Sequence, residues 1–174
     1  MRRRSWFAVT AVMASSLAVG VGLAVAAPPK ATKLYCNMQL TTTPPAGSST
    51  VNQPSSQGSQ YGPVHCPRAG FGGGVMSDSF TVPDNGNTMG TYTQYFSAGS
   101  IRGTFVLEPQ ESSGISVTNF ESQSWLGTVK ITGGTGIYHG IKSVRAPGMM
   151  TCTSPDSVHL TCTEKVKAFV PPTA

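Results

Sequence analysis

The sequence predicts an all-β fold, an antiparallel sandwich or barrel, on three observations. Apolar and polar residues alternate in many short segments, as they do in half-buried strands. Turn residues separate these segments, and the run Pro83-Asp84-Asn85-Gly86-Asn87 contains an Asn-Gly pair typical of hairpins. No stretch after residue 26 has a convincing helical period. About eight or nine strands are expected, and closing the sheet on itself is the best way to remove exposed edges.

The first 26 residues have the pattern of a signal peptide. Three arginines, Arg2 to Arg4, precede an apolar run from Trp6 to about Leu23, and Ala24-Val25-Ala26 fits a small-residue cleavage site. A retained membrane anchor is the alternative, but small residues dominate the run and no stop-transfer charges follow it. We therefore expect a protein that is secreted or held in the cell envelope, without a stable membrane anchor after cleavage.

Residues 27–174 have the size of a single domain, since 174 − 26 leaves 148 residues. Three of the 12 Lys and Arg residues lie in the leader, so 9 basic residues remain against 7 acidic ones, a net charge of +2. The basic character of the whole chain is therefore largely a property of the leader. It gives no indication of a nucleic acid or a membrane surface as partner.

An even number of cysteines in an exported chain favours disulfides. Cys152 and Cys162 flank a predicted hairpin whose turn lies near residues 155–157. Facing positions on paired strands are within bridging distance, so we pair these two and assign Cys36 to Cys66. A zinc site is the alternative, but the chain has no C-x-x-C motif and its three histidines are scattered. No metal and no cofactor is expected.

The first strand is predicted at Leu34 to Leu40, where apolar residues occupy every second position. Residues 42–63 are rich in Ser, Gly, Pro and Gln, and are predicted to form a long low-complexity loop. Further strands are expected at about residues 74–82, 88–97, 101–108, 115–123, 126–132, 138–144, 149–153 and 158–170.

The glycine-rich segment at residues 133–140 is not a phosphate-binding loop. Gly134, Gly136 and Gly140 are spaced as G-x-G-x-x-x-G and lead into a strand-like segment, whereas the dinucleotide fingerprint is G-x-G-x-x-G opening a helix. The Gly-Lys-Ser/Thr of a Walker loop is absent from the segment. The glycines Gly133, Gly134, Gly136 and Gly140, with Thr135, instead predict a tight bend at a barrel corner.

The same segment carries a resemblance to a known family. Residues 129–140 resemble the GGTG-x-[YF]-x-G-A-x-G signature of the allene oxide cyclase and dirigent-like barrel superfamily. The end of the signature differs, because Ile141 and Ser143 stand where it has alanine and glycine. Residues 71–78, 88–90 and 102–107 resemble further strands of the family, so that the likeness covers about residues 70 to 166. The resemblance implies an eight-stranded antiparallel barrel with an apolar cavity. Members of the family isomerise a reactive oxylipin or steer the coupling of phenolic radicals.

Two carboxylates are candidate catalytic residues. Asp78 is in phase with Met76 and Phe80, so alternation places it on the apolar face, where burial would raise its pKa and suit it to acid–base work. The resemblance also places the dirigent-like aspartate here, although a position at the rim or in a turn cap is the alternative. Glu164 is in phase with Cys162 and Val166 and is the second candidate. We expect its position near a strand end to let it reach water.

Four aromatic residues are candidate ligand contacts. Tyr92 and Phe96 share one face of their strand and Tyr95 lies on the other, so at least one tyrosine is expected to point inward. Phe105 lies on the apolar face of the next strand. Nucleophilic catalysis is not expected, because the sequence has no G-x-S-x-G motif and its cysteines are expected to be oxidised.

Two functions remain open at this point. The first is a secreted barrel that binds a small apolar or aromatic molecule, with a cofactor-independent cyclase, isomerase or dirigent-like activity. The second is a non-enzymatic exported scaffold whose loops contact a cell-surface or host partner. An open cavity lined by Asp78 and aromatic residues would favour the first, and an interior filled by Met76, Phe105 and Leu107 the second. Assembly into a homo-oligomer is compatible with either.

Overall fold

The computed structural model is a closed eight-stranded antiparallel β-barrel, which confirms the predicted fold class. It describes residues 30–43, 57–67, 71–83, 86–110, 123–156 and 158–170. The strands are β1 (Ala31–Thr43), β2 (Gln57–Cys66), β3 (Gly72–Thr81), β4 (Thr88–Phe96), β5 (Gly99–Gln110), β6 (Gln123–Gly134), β7 (Lys142–Ser143), β8 (Gly148–Ser154) and β9 (His159–Phe169). The predicted signal peptide lies outside the described residues, and so does most of the strand expected at 115–123.

Strands that follow one another in sequence are paired around the barrel. β1 to β6 form an antiparallel meander, β6 pairs with β8, and β8 pairs with β9. β9 then pairs with β1 along an unbroken ladder from Ala31↔Phe169 to Thr41↔His159, which closes the ring. The two-residue strand β7 adds to the far end of β9. Closure gives each of the eight main strands two neighbours, so none of them is left as an exposed edge.

Alternating side chains of each strand fill the barrel interior. Buried residues, most of them apolar, recur at every second position along most of β1, β5 and β9, as the sequence pattern predicts. The core includes Leu34, Met38, Val64, Met76, Ile101, Phe105, Leu107, Val129, Ile131, Met150 and Val166. Within the described part of the chain, no helix is long and apolar enough to cross a membrane.

Both predicted disulfides are confirmed. Cys36 pairs with Cys66 and Cys152 pairs with Cys162, each with a Cα–Cα distance of 4.1 Å. Cys152 and Cys162 face each other directly across the paired strands β8 and β9. All four sulfur-bearing side chains point into the barrel and are at most 2% exposed. The disulfides therefore fix strand pairs from inside the core.

The glycine-rich segment forms the predicted corner, but the prediction of a strand at 138–144 is wrong. Gly136 to Tyr138 form a single 3-10 turn, and only Lys142 and Ser143 return to the sheet. Gly136 has a φ of 60°, and a Cβ there would collide with the carbonyl oxygen of Ala98. At this corner the Tyr138 ring packs against the Phe71 ring, with ring centroids 4.7 Å apart. Packing of this aromatic ring under the barrel end overrides the local strand pattern.

The predicted bounds of the loop at 42–63 are also wrong, because both ends of that range belong to strands. Thr42 and Thr43 belong to β1 and residues 57–63 belong to β2, while residues 44–56 lie outside the described part. The polar composition of 57–63 suits a strand here because its outward side chains face solvent. Gly62 fits where a Cβ would collide with the carbonyl of Gln39. The sequence pattern predicted a loop because this polar, glycine-containing segment buries few side chains.

The two disulfides are expected to differ in their contribution to stability. Cys36–Cys66 joins residues 30 apart in sequence and Cys152–Cys162 joins residues 10 apart. Loop-closure entropy then makes the double variant Cys36→Ala/Cys66→Ala about 1 kcal/mol less stable than Cys152→Ala/Cys162→Ala. Urea denaturation of both variants measures the difference, and similar burial of the two pairs makes each a control for the other. Equal losses would contradict the entropic account.

Gly72 and Gly136 have similar φ angles but different surroundings. Substituting each of them therefore distinguishes the cost of the left-handed backbone from the cost of a steric collision. Gly72 has a φ of 69° and nothing within 4 Å of the place that a methyl side chain would occupy, whereas Gly136 has a φ of 60° with a carbonyl oxygen in the way. Gly72→Ala is expected to cost about 1 kcal/mol of unfolding free energy for the left-handed backbone alone. Gly136→Ala should cost clearly more, since the corner must also move. Thermal denaturation compares them, and an equal cost would show that the Ala98 contact is unimportant.

Candidate functional site

Asp78 lies inside the barrel, as the alternation predicts. Met76 and Asp78 both point inward from β3, and the Asp78 side chain is 7% exposed. Its Oδ1 accepts a hydrogen bond from the backbone N–H of Gln60 on β2, at 3.2 Å. Burial raises the pKa of Asp78 from 3.8 to about 7, and the hydrogen bond from Gln60 offsets part of that rise. The carboxyl group can therefore hold or release a proton near neutral pH.

Glu164 is buried too, and the expectation that it reaches water is wrong. The side chain is 1% exposed, at the middle of β9 rather than near its end. Its neighbours across the sheet are Cys36 on β1 and Met150 on β8, both buried. Burial among these residues raises the pKa of Glu164 from 4.5 to about 7.

Two polar side chains from β4 hold the Glu164 carboxyl group. The Tyr92 hydroxyl donates to Oε1 at 3.1 Å, and the Gln94 amide donates to Oε2 at 2.7 Å. Both bonds favour the ionised carboxylate and so lower the pKa of Glu164, against the larger effect of burial. Burial, the Glu164 charge and their hydrogen bond raise the pKa of Tyr92 well above 10.0, so the phenol keeps its proton. We call Tyr92, Gln94 and Glu164 the polar cluster.

The geometry of β5 makes room for the polar cluster. A Cβ at Gly103 would overlap the ring and hydroxyl of Tyr92, so the absence of a side chain there lets the ring lie over β5. The β5–β6 register shifts between Arg102 and Gly103, next to this position. Gly103 is thus a positioning residue for the Tyr92 hydroxyl.

The structure brings Asp78 close to the polar cluster. Asp78 and Tyr92 are directly opposite each other on β3 and β4, and both side chains are buried. Opposite positions in an antiparallel pair put the Cβ atoms about 4.5–5.5 Å apart. Tyr92 therefore links the two strands' interior positions: its residue is opposite Asp78 in the sheet, and its hydroxyl is hydrogen-bonded to Glu164. Two buried carboxyl groups with pKa values near 7, one of them hydrogen-bonded to a phenol, are groups suited to proton transfer.

Three of the four aromatic candidates point inward and one does not. Tyr92, Phe96 and Phe105 are 2%, 8% and 4% exposed, respectively. Tyr95 is 51% exposed on the outer face and does not line the interior. Side chains alternate between the two faces of a strand, so Tyr95, three residues after the inward Tyr92, points outward. Phe96 packs 5.7 Å from both Phe71 and Tyr138, at the corner rather than beside the carboxyl groups.

Sequence reasoning missed two residues of the site, Gln94 and Gly103. Gln94 is 1% exposed and lies between Tyr92 and Phe96 on the same strand face, so the alternation that placed the tyrosine inside also placed the amide there. A buried amide needs a hydrogen-bond partner, which would have pointed to an inward carboxyl group. Nothing in the local sequence indicates that Gly103 faces the Tyr92 ring.

The polar groups of the interior are paired. Among the described residues, no buried side-chain nitrogen or oxygen lacks a hydrogen-bond partner. The same residues hold no group of three or more His, Cys, Asp or Glu side chains placed to bind a metal ion. What the arrangement offers is two titratable carboxyl groups, one phenol and one amide, surrounded by apolar side chains. Fold and site together define a closed antiparallel barrel with a buried polar cluster and a second carboxyl beside it.

Comparison with known proteins does not assign this barrel to a family. No protein-family model matches the sequence, and no curated protein sequence matches it significantly. Among solved structures, pyocyanin demethylase is 18% identical to this chain, over 80% of this chain and 99% of its own, with a TM-score of 0.38. Likeness at that level supports no inference about fold or function. The barrel assignment therefore comes from the strand pairing itself.

The buried glutamate makes stability depend on pH with a definite sign. Its folded-state pKa of about 7 lies above the 4.5 of the free side chain, so its contribution to stability is fully present below about pH 4.5 and is lost as the pH rises to 7. The loss is on the order of 3 kcal/mol. Glu164→Gln cannot ionise, so it should gain stability relative to the wild type between pH 5 and 8 and match its slope below pH 4.5.

Urea denaturation across this pH range measures the effect. The matched control is Glu108→Gln, because Glu108 is exposed on the outer face of β5. That variant should follow the wild-type profile throughout. A Glu164→Gln profile parallel to the wild type at all pH values would show that Glu164 keeps an ordinary pKa in the folded protein.

Proposed function

We propose that this protein is an exported barrel of the allene oxide cyclase and dirigent-like kind that binds a small apolar or aromatic molecule in contact with its polar cluster. The observation that carries the proposal is the fully buried Glu164, hydrogen-bonded to Tyr92 and Gln94. Burying an ionisable group is costly for stability, and such groups concentrate where a protein binds or transforms a ligand. A stable barrel of this size needs no carboxyl group at its centre.

The chemistry proposed for this site is proton transfer without a cofactor. With pKa values near 7, one of the carboxyl groups, Asp78 or Glu164, can be protonated while the other is ionised. The protonated one donates to an oxygen of the ligand while the ionised one removes a proton from a neighbouring carbon, so an isomerisation is balanced without an oxidant. The Tyr92 hydroxyl orients the ligand, and apolar side chains such as Phe105 restrict its conformation.

Export is part of the proposal. The sequence pattern of residues 1–26 indicates a leader, and two disulfides are typical of proteins that fold in an oxidising compartment. Both disulfides lie in the core of the domain that holds the polar cluster. The site is therefore proposed to act outside the reducing cytosol.

A second candidate function is a non-enzymatic exported scaffold, and one observation favours it. Met76, Phe105 and Leu107 are 2%, 4% and 5% exposed, so these three side chains fill interior space that a ligand would need. In that case the buried carboxyl groups would serve to specify the packing of the interior. A partner would be contacted by outer surfaces and connecting segments.

Substitution of the interior carboxyl groups tests the proposal. Native mass spectrometry of the secreted protein is expected to show a small molecule that purifies with it. Asp78→Asn and Glu164→Gln should each lose most of this adduct, and any turnover of it, because the ligand loses a group that holds or transfers a proton. Both changes preserve side-chain size, and unfolding curves would show that the barrel is intact.

Asp156→Asn, a change of the same chemistry at an exposed carboxyl group, is the control and should retain the adduct. Retention of ligand and activity by both interior variants would exclude the roles given to Asp78 and Glu164. A protein that carries no adduct in any form would favour the scaffold function.

A further inference from the structure

A groove on the outer surface of the barrel lies away from the polar cluster. It is lined by residues of β1, β5, β6, β8 and β9 and by Val144, Ala146 and Pro147, and it has a volume of about 910 Å³. Small-molecule sites typically have volumes of about 300–1,000 Å³. We call it the lysine groove, after the residues that give it its character: Lys33, Tyr35, Leu126, Met149, Lys165 and Lys167.

Three lysines gather at one end of the lysine groove. Lys33 and Lys167 are directly opposite each other on β1 and β9, and Lys165 lies two residues from Lys167 on the same outer face. None of the three forms an ion pair among the described residues, where the salt bridge found joins His159 to Asp156. Glu108 lines the groove as well, but on β5. Like charges placed opposite each other destabilise a sheet, so an anion bound between them would offset that cost.

Beyond the lysines, the lysine groove is lined by the polar residues Glu108, Gln110 and Thr128 and by apolar residues. Met149 and Leu126 are 54% and 40% exposed and lie together in this groove, so they form a shared apolar surface. Met149 is directly opposite Lys165 across β8 and β9, so the apolar and cationic parts adjoin. The Lys165 ammonium lies 5.6 Å from the centre of the Tyr35 ring, which leaves an aromatic surface beside the charge.

We propose that the lysine groove binds a small amphipathic anion, with an aromatic or aliphatic body and one carboxylate or sulfonate group. The body lies against Leu126 and Met149, and the acidic group lies between Lys165, Lys167 and Lys33. Val144, Ala146 and Pro147 line one side of the groove, and a concave site suits a compact molecule better than a flat partner surface. The site is on the outer face and does not depend on the function proposed for the interior.

Two fluorescent probes that differ in one charged group test whether binding depends on the acidic group of the ligand or on its apolar body. 8-Anilinonaphthalene-1-sulfonate has the proposed chemistry, and N-phenyl-1-naphthylamine is nearly the same molecule without the sulfonate. The secreted protein is expected to bind the sulfonate about tenfold more tightly than the neutral compound. Added salt should weaken binding of the sulfonate alone, since the lysines are exposed to solvent. Dodecanoate, an aliphatic carboxylate, should displace it.

The double variant Lys165→Gln/Lys167→Gln locates the binding. It should bind the sulfonate about tenfold more weakly and the neutral probe unchanged. Lys130→Gln is the matched control, because Lys130 is exposed on the outer face of β6 but does not line the groove. Methyl NMR of the methionines gives a second readout. Signals from Met149 should shift with the sulfonate, whereas those from Met89, exposed on β4, and Met76, buried in the core, should not.

Several results would overturn the proposal. Equal affinity of the double variant and the Lys130→Gln control, or equal binding of both probes, would remove the role of the lysines. Loss of sulfonate binding in Glu164→Gln with no effect of the lysine changes would place the probe in the barrel interior. Absence of any binding by the folded protein would show that the groove has no affinity for amphipathic anions.

Discussion

The ladder between β1 and β9 is the constraint on which the rest of this structure depends. It runs without interruption from Ala31↔Phe169 to Thr41↔His159 and joins the first strand of the barrel to the last. An open sheet of the same strands would leave its inward residues facing solvent on one side and would expose two edges. Closure also places β9 opposite β4, so that Glu164 reaches side chains 70 and 72 residues earlier in the chain. The polar cluster exists only in the closed barrel.

Closure gives the two carboxyl groups their chemical character. Both are withdrawn from water, and burial is the largest influence on the pKa of each. Their hydrogen-bond partners differ. Asp78 accepts a hydrogen bond from one backbone N–H, whereas Glu164 accepts hydrogen bonds from a phenol and an amide. Every buried polar side-chain atom among the described residues has a partner, so the interior is specified by hydrogen bonds as well as by packing. Such an interior can hold a proton at a fixed place near neutral pH, which is what the proposed chemistry requires.

The inner and outer faces of the barrel present different surfaces. Inside, two carboxyl groups are enclosed by apolar side chains and by both disulfides. Outside, three lysines that form no ion pair within the described ranges adjoin exposed Met149 and Leu126 in the lysine groove. Strand alternation produces this separation, because neighbouring residues such as Glu164 and Lys165 point to opposite faces. One segment of β9 therefore serves the interior site with one set of residues and the outer groove with the other.

The sequence by itself determined the features that depend on local period and on facing pairs. Alternation identified most of the strands, though not β2, and it gave the inward direction of Asp78. The predicted hairpin placed Cys152 opposite Cys162. These features follow from a period of two residues, which is visible within a short segment. The tertiary structure decided the rest. Glu164 was expected to reach water and is buried, since its depth depends on strands far away in sequence. Segment 138–144 was expected as a strand and is mostly a 3-10 turn and bend, because Tyr138 packs under the barrel end. Likewise the pairing of Lys33 with Lys167 follows from closure, which no local pattern encodes.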